Sequence, residues 1–476
     1  HCVTGVQTCA LPIFLIKPKL SNVISRSHVS LKTKLSDKIK LNIPIVSSPM
    51  DTVTETNMAI AMSLNGGIGI IHRFQSIDEQ VKMVKNVKRH LSYIIENPYV
   101  INKDESIEDL IKLNKKLNVS GLMVIDNDNK FVGIVSKKDV QVYKLSETNF
   151  DKVSDIMTPL KDVIYVEEYN YKKIVELYKK YKIEKIPILC KEKYIKGLVV
   201  LNNLMYIHNN KNIASLDNNG KLLVGASVGI KDYMERGDAL VNAGVDVLCI
   251  DVANGHTEIM KNAICEIKKK YPNITIMAGN VCTAEGFEFL CKAGADCIRV
   301  GIGSGSICST RLQTGIGVCQ FSALRECSKI AKKYNVAMIS DGGHLGKIGN
   351  KFKALAVGSS VVMLGKSLAG TTESPGNIIY KKGKRVKYYR GMASSYANLS
   401  KQERLGNEIS NNFHVEGVEG EVDYKGSVVD QINQICNGIR SGMSYVGVFS
   451  IDELHNTEIE FNIITQNGFS ETKTRL

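Results

Sequence analysis

Four things are missing from this chain of 476 residues, and each absence removes a class of function. No stretch approaches the roughly 20 consecutive apolar residues that a bilayer-spanning helix needs, so a helical membrane protein is not expected. Among the 12 cysteines there is no CxxC pair and no Cys/His spacing of a zinc site. Most stand in apolar runs such as Leu248-Cys249-Ile250 and Cys297-Ile298, which fits buried free thiols in a reducing compartment. The net charge is +14, yet the lysines fall as pairs along helical faces, as in 178–182 and 267–270, without the aromatic-interleaved basic stripe of a nucleic-acid binder. Solvated faces explain most of that charge, and anionic nucleotides are better placed than nucleic acid to benefit from it. No GxGxxG fingerprint of a dinucleotide fold is present either. With no arginine-rich or secretory leader, the cytoplasm is the expected location. The alternative is a peroxisome or glycosome, since the final Thr474-Arg-Leu476 loosely resembles a Ser-Lys-Leu address.

What is present concentrates in one run, Gly301-Ile-Gly-Ser-Gly-Ser-Ile-Cys308-Ser-Thr310-Arg311, directly after the apolar segment 297–300. Small residues let backbone N–H groups and the Ser306 hydroxyl converge on an anion, while Arg311 and an electropositive loop would favour thiolate over thiol at Cys308. A lone GxGxG with an inert cysteine would be only a flexible connection. A specified run of this length points to phosphate binding and a cysteine nucleophile in one loop.

Apolar residues make up 43% of the chain, enough for a large core and two or more domains. Eight short apolar runs have strand character: 43–46, 69–71, 222–224, 247–250, 274–277, 297–300, 336–339 and 361–364. Helical patterns at 257–270, 284–293 and 321–333 lie between them, so the expected fold is α/β, a (β/α)8 TIM barrel. Polar residues close to strand ends fall where such a barrel keeps its active site: Asp51, His72, Asp251, Asn280, Cys308, Asp341 and Lys366. The opening residues 1–14 read unlike the rest. Residues 3–13 look like translated adapter sequence ahead of a truncated gene start, and 1–14 are set aside from the fold.

Between the second and third strands lies an insertion, 98–205, with an internal repeat of helix, strand and strand at 106–140 and 171–204. It resembles a tandem pair of CBS domains, with Asp155-Ile-Met-Thr-Pro159 opening the second copy. The resemblance implies regulatory purine nucleotides on this pair. Asp139 matches the ribose-binding Asp of the motif, whereas Asn202 or Asn203 holds that place in the second copy. The barrel would then comprise 15–97 and 206–476, with a mobile flap at about 395–425.

The barrel sequence resembles the IMP dehydrogenase and GMP reductase superfamily from Leu20 to about Phe469. By that resemblance Cys308 attacks C2 of a purine nucleotide, GMP or IMP, and Thr310 assists proton transfer. The 5′-phosphate would rest on Ser306, Gly343, Gly365 and Tyr389, and Asp341 would hold the ribose hydroxyls, although an Asp at such a turn can also serve as a cap. Glu416, Gly391, Met392 and Ser394 would contact the base, and Asp251, Asn280 and Arg299 would lie near the nicotinamide of NADPH or NAD+. In the dehydrogenase branch, carbonyls of Gly303, Gly305 and Cys308 bind a monovalent cation such as K+. Lys366 stands where the family has a small residue, and either adds a phosphate contact or points to solvent. The resemblance also implies a homotetramer or octamer.

Within the family, dehydrogenases hydrolyse the thioimidate with an Arg-Tyr pair on the flap, and residues 395–415 contain none; Leu405 follows Arg404. Asp251-Val-Ala-Asn-Gly255, Ile276-Met-Ala-Gly-Asn280, Ile339-Ser-Asp-Gly-Gly343 and the segment headed by Glu416 look like GMP reductase, where Thr310 and Glu416 would assist deamination. Ser48-Pro-Met-Asp-Thr-Val-Thr-Glu55, the Gly-Ser-Gly-Ser-Ile-Cys loop and the insertion look like IMP dehydrogenase. A CBS-bearing GMP reductase is the favoured reading, IMP dehydrogenase the second, and a nucleotide sensor without turnover the third.

Overall fold

The computed structural model describes residues 10–117, 119–145, 151–210, 212–395, 397, 402 and 415–471. The chain divides into two compact units, one formed by residues up to 90, 211–217 and from 222 onward, the other by 91–210 and 218–221.

In the first unit eight parallel strands close on themselves: β1 (Ile45–Ser47), β2 (Ile68–Ile71), β3 (Val224–Val228), β4 (Val247–Asp251), β5 (Thr275–Val281), β6 (Cys297–Val300), β7 (Ala337–Asp341) and β8 (Val361–Leu364). β8 returns to β1 with Val362 opposite Ile45, and β2 meets β3 with Gly69 opposite Val224. Val46, Ile70, Val247, Met277, Cys297 and Ile339 share one buried cluster in the barrel, as the branched-residue layers of this fold require. Leu35, Ile39 and Leu41 join that cluster from a two-stranded hairpin. Its turn is fixed by Ser36 Oγ, 3.0 Å from the hydroxyl of Thr275 at the start of β5. The N-terminal mouth is thereby plugged, and the open end is the one where the strands finish.

Helix starts follow local capping. Thr257 and Thr283 accept the Met260 and Gly286 N–H groups with their side chains, and helices run from there over Glu258–Lys270 and Ala284–Ala293.

Two expectations need correction. The third strand is not 222–224: Leu222 bridges back to Leu216, and the strand is the small-residue run Val224–Val228. Gly225 gives Ile70 its room there: a Cβ would lie 2.3 Å from Ile70 Cδ1, and that buried side chain would have to turn away. Nor can 11–14 be set aside. Leu11 is fully buried, Phe14 opens a strand paired with Phe461–Ile463, and its ring stacks on Phe321 at 3.7 Å.

The second unit repeats one order of elements. Helix Ile107–Leu117, an antiparallel pair Gly121–Ile125 with Phe131–Ser136, and helix Lys137–Leu145 are followed by helix Tyr171–Tyr181, the pair Lys185–Leu189 with Ile195–Val200, and helix Leu201–Asn210. Each copy has its own apolar cluster, and Met123, Phe131, Leu189 and Leu198 form a third. The unit begins before residue 98 because Ile95 bridges to Leu198. No helix among the described residues is long and apolar enough to cross a membrane.

Phe14→Ala removes a buried stacked ring, and a loss of about 3 kcal/mol is expected. A urea midpoint equal to that of the unsubstituted chain would show that the segment does not pack.

Candidate active site

A cavity of about 500 Å³ opens at the C-terminal ends of the strands. The loop after β6 forms one wall and is folded by its glycines. Gly301 has φ +147°, and a Cβ there would fall 2.1 Å from the Asp341 carbonyl oxygen. That carbonyl accepts the Ser304 hydroxyl at 2.8 Å, and Ser304 in turn accepts the Gly343 N–H at 2.7 Å. The loops after β6 and β7 are thus sewn together.

Backbone pairing then positions the Cys308 thiol. Cys308 forms an antiparallel bridge to Gly417; Ser309 N–H donates to Glu416 O at 2.8 Å and Val418 N–H to Ile307 O at 2.9 Å. The exposed Cys308 Sγ lies 3.1 Å from Thr310 Oγ1, which donates to Glu416 Oε2 at 2.8 Å. A thiol, a hydroxyl and a carboxylate therefore stand in one proton-transfer line. Arg311 does not do what was expected of it. Its guanidinium donates to the carbonyls of Ile302 and Val318, so its donors hold the loop's shape instead of facing the thiol.

Deeper in the cavity Arg299, 5% exposed, bridges Asp251 (2.6 Å) and Asp341 (2.9 Å), and Asn280 Nδ2 donates to the same Asp341 oxygen at 2.9 Å. The buried cation is matched by two carboxylates. Arg299 also donates to Cys249 Sγ at 3.4 Å. Burial pushes that thiol up to about 12, which keeps it protonated. Asp341 caps no helix: the next one, Ile348–Ala356, starts from Lys347.

At the opposite side Tyr389 is buried in a strand, Lys384–Arg390, paired with Glu419–Asp423. Burial above all pushes its hydroxyl up to about 12, against hydrogen bonds with Ser306 and the Lys366 backbone. A Cβ on Gly365 would meet the Tyr389 hydroxyl at 2.9 Å. Lys366 is exposed and its carbonyl accepts Lys425 Nζ at 2.6 Å.

Of the residues singled out in the sequence, Cys308, Thr310, Glu416, Ser306, Asp341, Gly343, Gly365, Lys366, Tyr389, Gly391, Met392, Asp251, Asn280, Arg299, Gly303 and Gly305 all line this cavity. Ser394 does not; it is buried, and its hydroxyl accepts the Ala397 N–H at 3.3 Å. Asp51 and His72 also leave the wall. Asp51 pairs with Arg390 at 2.5 Å, holding the end of the strand that leads into Gly391 and Met392. The fully buried His72 lies 3.3 Å from Glu55. Asp139 belongs to the other unit and accepts both the N–H and the hydroxyl of Ser136 at 2.7 Å. Arg404 and most of 395–415 lie outside the described residues. Sequence reading missed Arg73 and Phe74, which line the cavity. Their signal was position, one and two residues past a polar strand end.

Residues 12–475 match the IMP dehydrogenase / GMP reductase domain. The chain belongs to that family. It is a purine nucleotide oxidoreductase of the kind that uses NAD(P). Among curated relatives, the inosine-5′-monophosphate dehydrogenase of Nitrosopumilus maritimus is 44% identical over 470 residues, covering 96% of both chains. That of Aquifex aeolicus is 42% identical over 96% of this chain and 93% of its own. Among solved structures, a GMP reductase variant from Trypanosoma brucei in complex with guanosine 5′-monophosphate has a TM-score of 0.93 and 40% identity, over 98% of this chain and 97% of that one.

Gly301→Ala is expected to cost about 1–3 kcal/mol through forced backbone strain, read by urea unfolding, and to lower turnover with it. Unchanged stability and rate would mean that the loop does not need this conformation.

Proposed function

We propose that the chain is a GMP reductase: GMP, NADPH and two protons give IMP, ammonium and NADP+. The observation that carries this reading is the line from Cys308 through Thr310 to Glu416, with contacts of 3.1 and 2.8 Å. The Cys308 thiol passes its proton through Thr310 to Glu416 as Sγ adds to C2, and the C2–N bond breaks as the amine takes that proton back along the same line. The resulting thioimidate fixes the purine, so that the following step is effectively unimolecular. After C2 is reduced, Sγ departs. Gly391 and Met392 hold the base, Asp341 the ribose, and Ser306, Gly343, Gly365 and Tyr389 the phosphate.

The bound nicotinamide cofactor supplies the hydride. The residues present fit it: Asn280 Oδ1, Arg299 Nε and Arg73 Nε are buried in cavity-lining residues without hydrogen-bond partners among the described residues, an acceptor and donors of the kind an amide and a phosphate require. A monovalent cation fits less well. Gly305 O already accepts Cys308 N–H, and three carbonyls of one loop fall short of the roughly six oxygens a hard cation gathers.

IMP dehydrogenase, taking IMP, NAD+ and water to XMP and NADH, is the second reading, favoured by the names of the curated relatives. The 91–210 unit is read as a CBS pair that takes regulatory purine nucleotides near Asp139, the assembly as a homotetramer or octamer, and the compartment as cytoplasm.

Nicotinamide absorbance in two assays separates the activities. A fall with GMP and NADPH alone is expected; a rise with IMP and NAD+ alone would establish the dehydrogenase. Cys308→Ala should abolish turnover while nucleotide still binds, and Glu416→Gln should slow ammonia release by about 100-fold or more. A Glu416→Gln enzyme at full rate would remove the carboxylate from the chemistry.

A further inference from the structure

Lys351 carries a buried charge with no carboxylate beside it among the described residues. It sits in the helix Ile348–Ala356, its side chain wholly removed from solvent. Among the described residues its ammonium makes one long hydrogen bond, 3.4 Å, to the Lys347 carbonyl, although it has three protons to donate. A buried ammonium is normally paired, because the desolvation cost is large. Here the charged neighbour acting on it is a second cation, Lys425; burial first and Lys425 next push Lys351 down to about 8. Lys425 is itself pushed down to about 8 by burial and then by Lys366, with Asp423 as the opposing acid. The nearby His344 offers no negative charge either, since burial and then Lys351 drive it down to about 3.

The position of these cations gives the imbalance a meaning. By bonding back to Lys347, the Lys351 ammonium turns toward the helix start, where the loop carrying Gly343, His344 and Gly346 arrives from the cavity wall. Lys425 grips the other loop from behind, donating to the carbonyls of Lys366 at 2.6 Å, Ser367 at 3.3 Å and Ala369 at 2.7 Å. Both loops that the proposed reading gives to the 5′-phosphate therefore have a lysine behind them, the buried Lys351 with no acid against it among the described residues and Lys425 with Asp423 as its opposing acid. A helix N-terminus and glycine N–H groups supply only partial charge, whereas a phosphate monoester brings nearly two full negative charges.

We propose that Lys351, with Lys425, is a built-in counter-charge for the dianionic 5′-phosphate of the substrate, a positioning residue that makes the site select a nucleotide over its nucleoside. This rests on the reading that the phosphate lies on the Gly343 and Gly365 loops. In the free protein the charge is a liability, and the ligand removes it. Neutralising Lys351 should therefore leave the free protein as stable or more stable while weakening its hold on phosphate.

Calorimetric titration of the full chain with GMP and with guanosine tests this. The unsubstituted protein should prefer GMP. In Lys351→Met and Lys351→Gln, GMP affinity should fall about tenfold, the worth of one charge-assisted contact. Guanosine affinity should stay unchanged, the ligand-free thermal midpoint should not fall, and KM for GMP should rise at constant kcat. Unchanged GMP affinity, equal weakening of GMP and guanosine, or a lowered ligand-free midpoint would each overturn the counter-charge and leave the phosphate loops standing. Equal affinity of the unsubstituted protein for GMP and guanosine would overturn the loop assignment itself, and this inference with it.

Discussion

Two backbone hydrogen bonds, Ser309 N–H to Glu416 O and Val418 N–H to Ile307 O, join the loop after β6 to a segment more than a hundred residues later in the chain. They are short-range interactions with long-range consequences. Without them Thr310 and Glu416 would have no reason to meet, and the Cys308 thiol would lose its link to a carboxylate. The segment is held in turn, since Gly391 N–H donates to Val418 O at 3.0 Å and Glu416 N–H to Ala393 O at 3.1 Å. Arg390, beside Gly391, is pinned by the buried Asp51. The 391–393 segment, Glu416 and the loop bearing Cys308 are thus one ladder of main-chain bonds hung on a closed barrel, which is how a site gains rigidity from elements that are themselves irregular.

The site distributes buried charge in two ways. Around Arg299 it is balanced, because Asp251 and Asp341 set two carboxylates against the guanidinium before any ligand arrives. Around Lys351 it is not: its charged neighbour is a second cation, Lys425, and on the proposed reading the matching negative charge arrives with the substrate phosphate. The first arrangement preorganises; the second stores free energy that a dianion releases. Both are expected where binding must be strong at one end of a substrate so that chemistry can be directed at the other.

The sequence was legible where one physical signal dominated. Apolar runs marked seven of the eight barrel strands, and the density of glycine and small polar residues around Cys308 marked the loop that only glycines can fold. Small residues hid the third strand: Gly225 and Ser227 carry no hydrophobic signal, yet both are buried in the barrel wall. Asp51 and His72 looked like site residues because strand-end polarity does not say whether a side chain faces the cavity or braces its rim. Arg311 was misread for a related reason. Proximity in sequence suggested a partner for the thiol, whereas the loop's carbonyls had a stronger claim on its donors. Nothing in the residue pattern announced Lys351, because a lysine's burial is a property of packing and not of periodicity.

The most direct measurement is the mass of the protein quenched in acid during turnover with GMP and NADPH. Covalent chemistry at the strapped loop predicts a nucleotide adduct, GMP less ammonia, on the peptide bearing Cys308 and on no other cysteine. Turnover that persists after stoichiometric alkylation of Cys308, with no adduct in the quench, would contradict it.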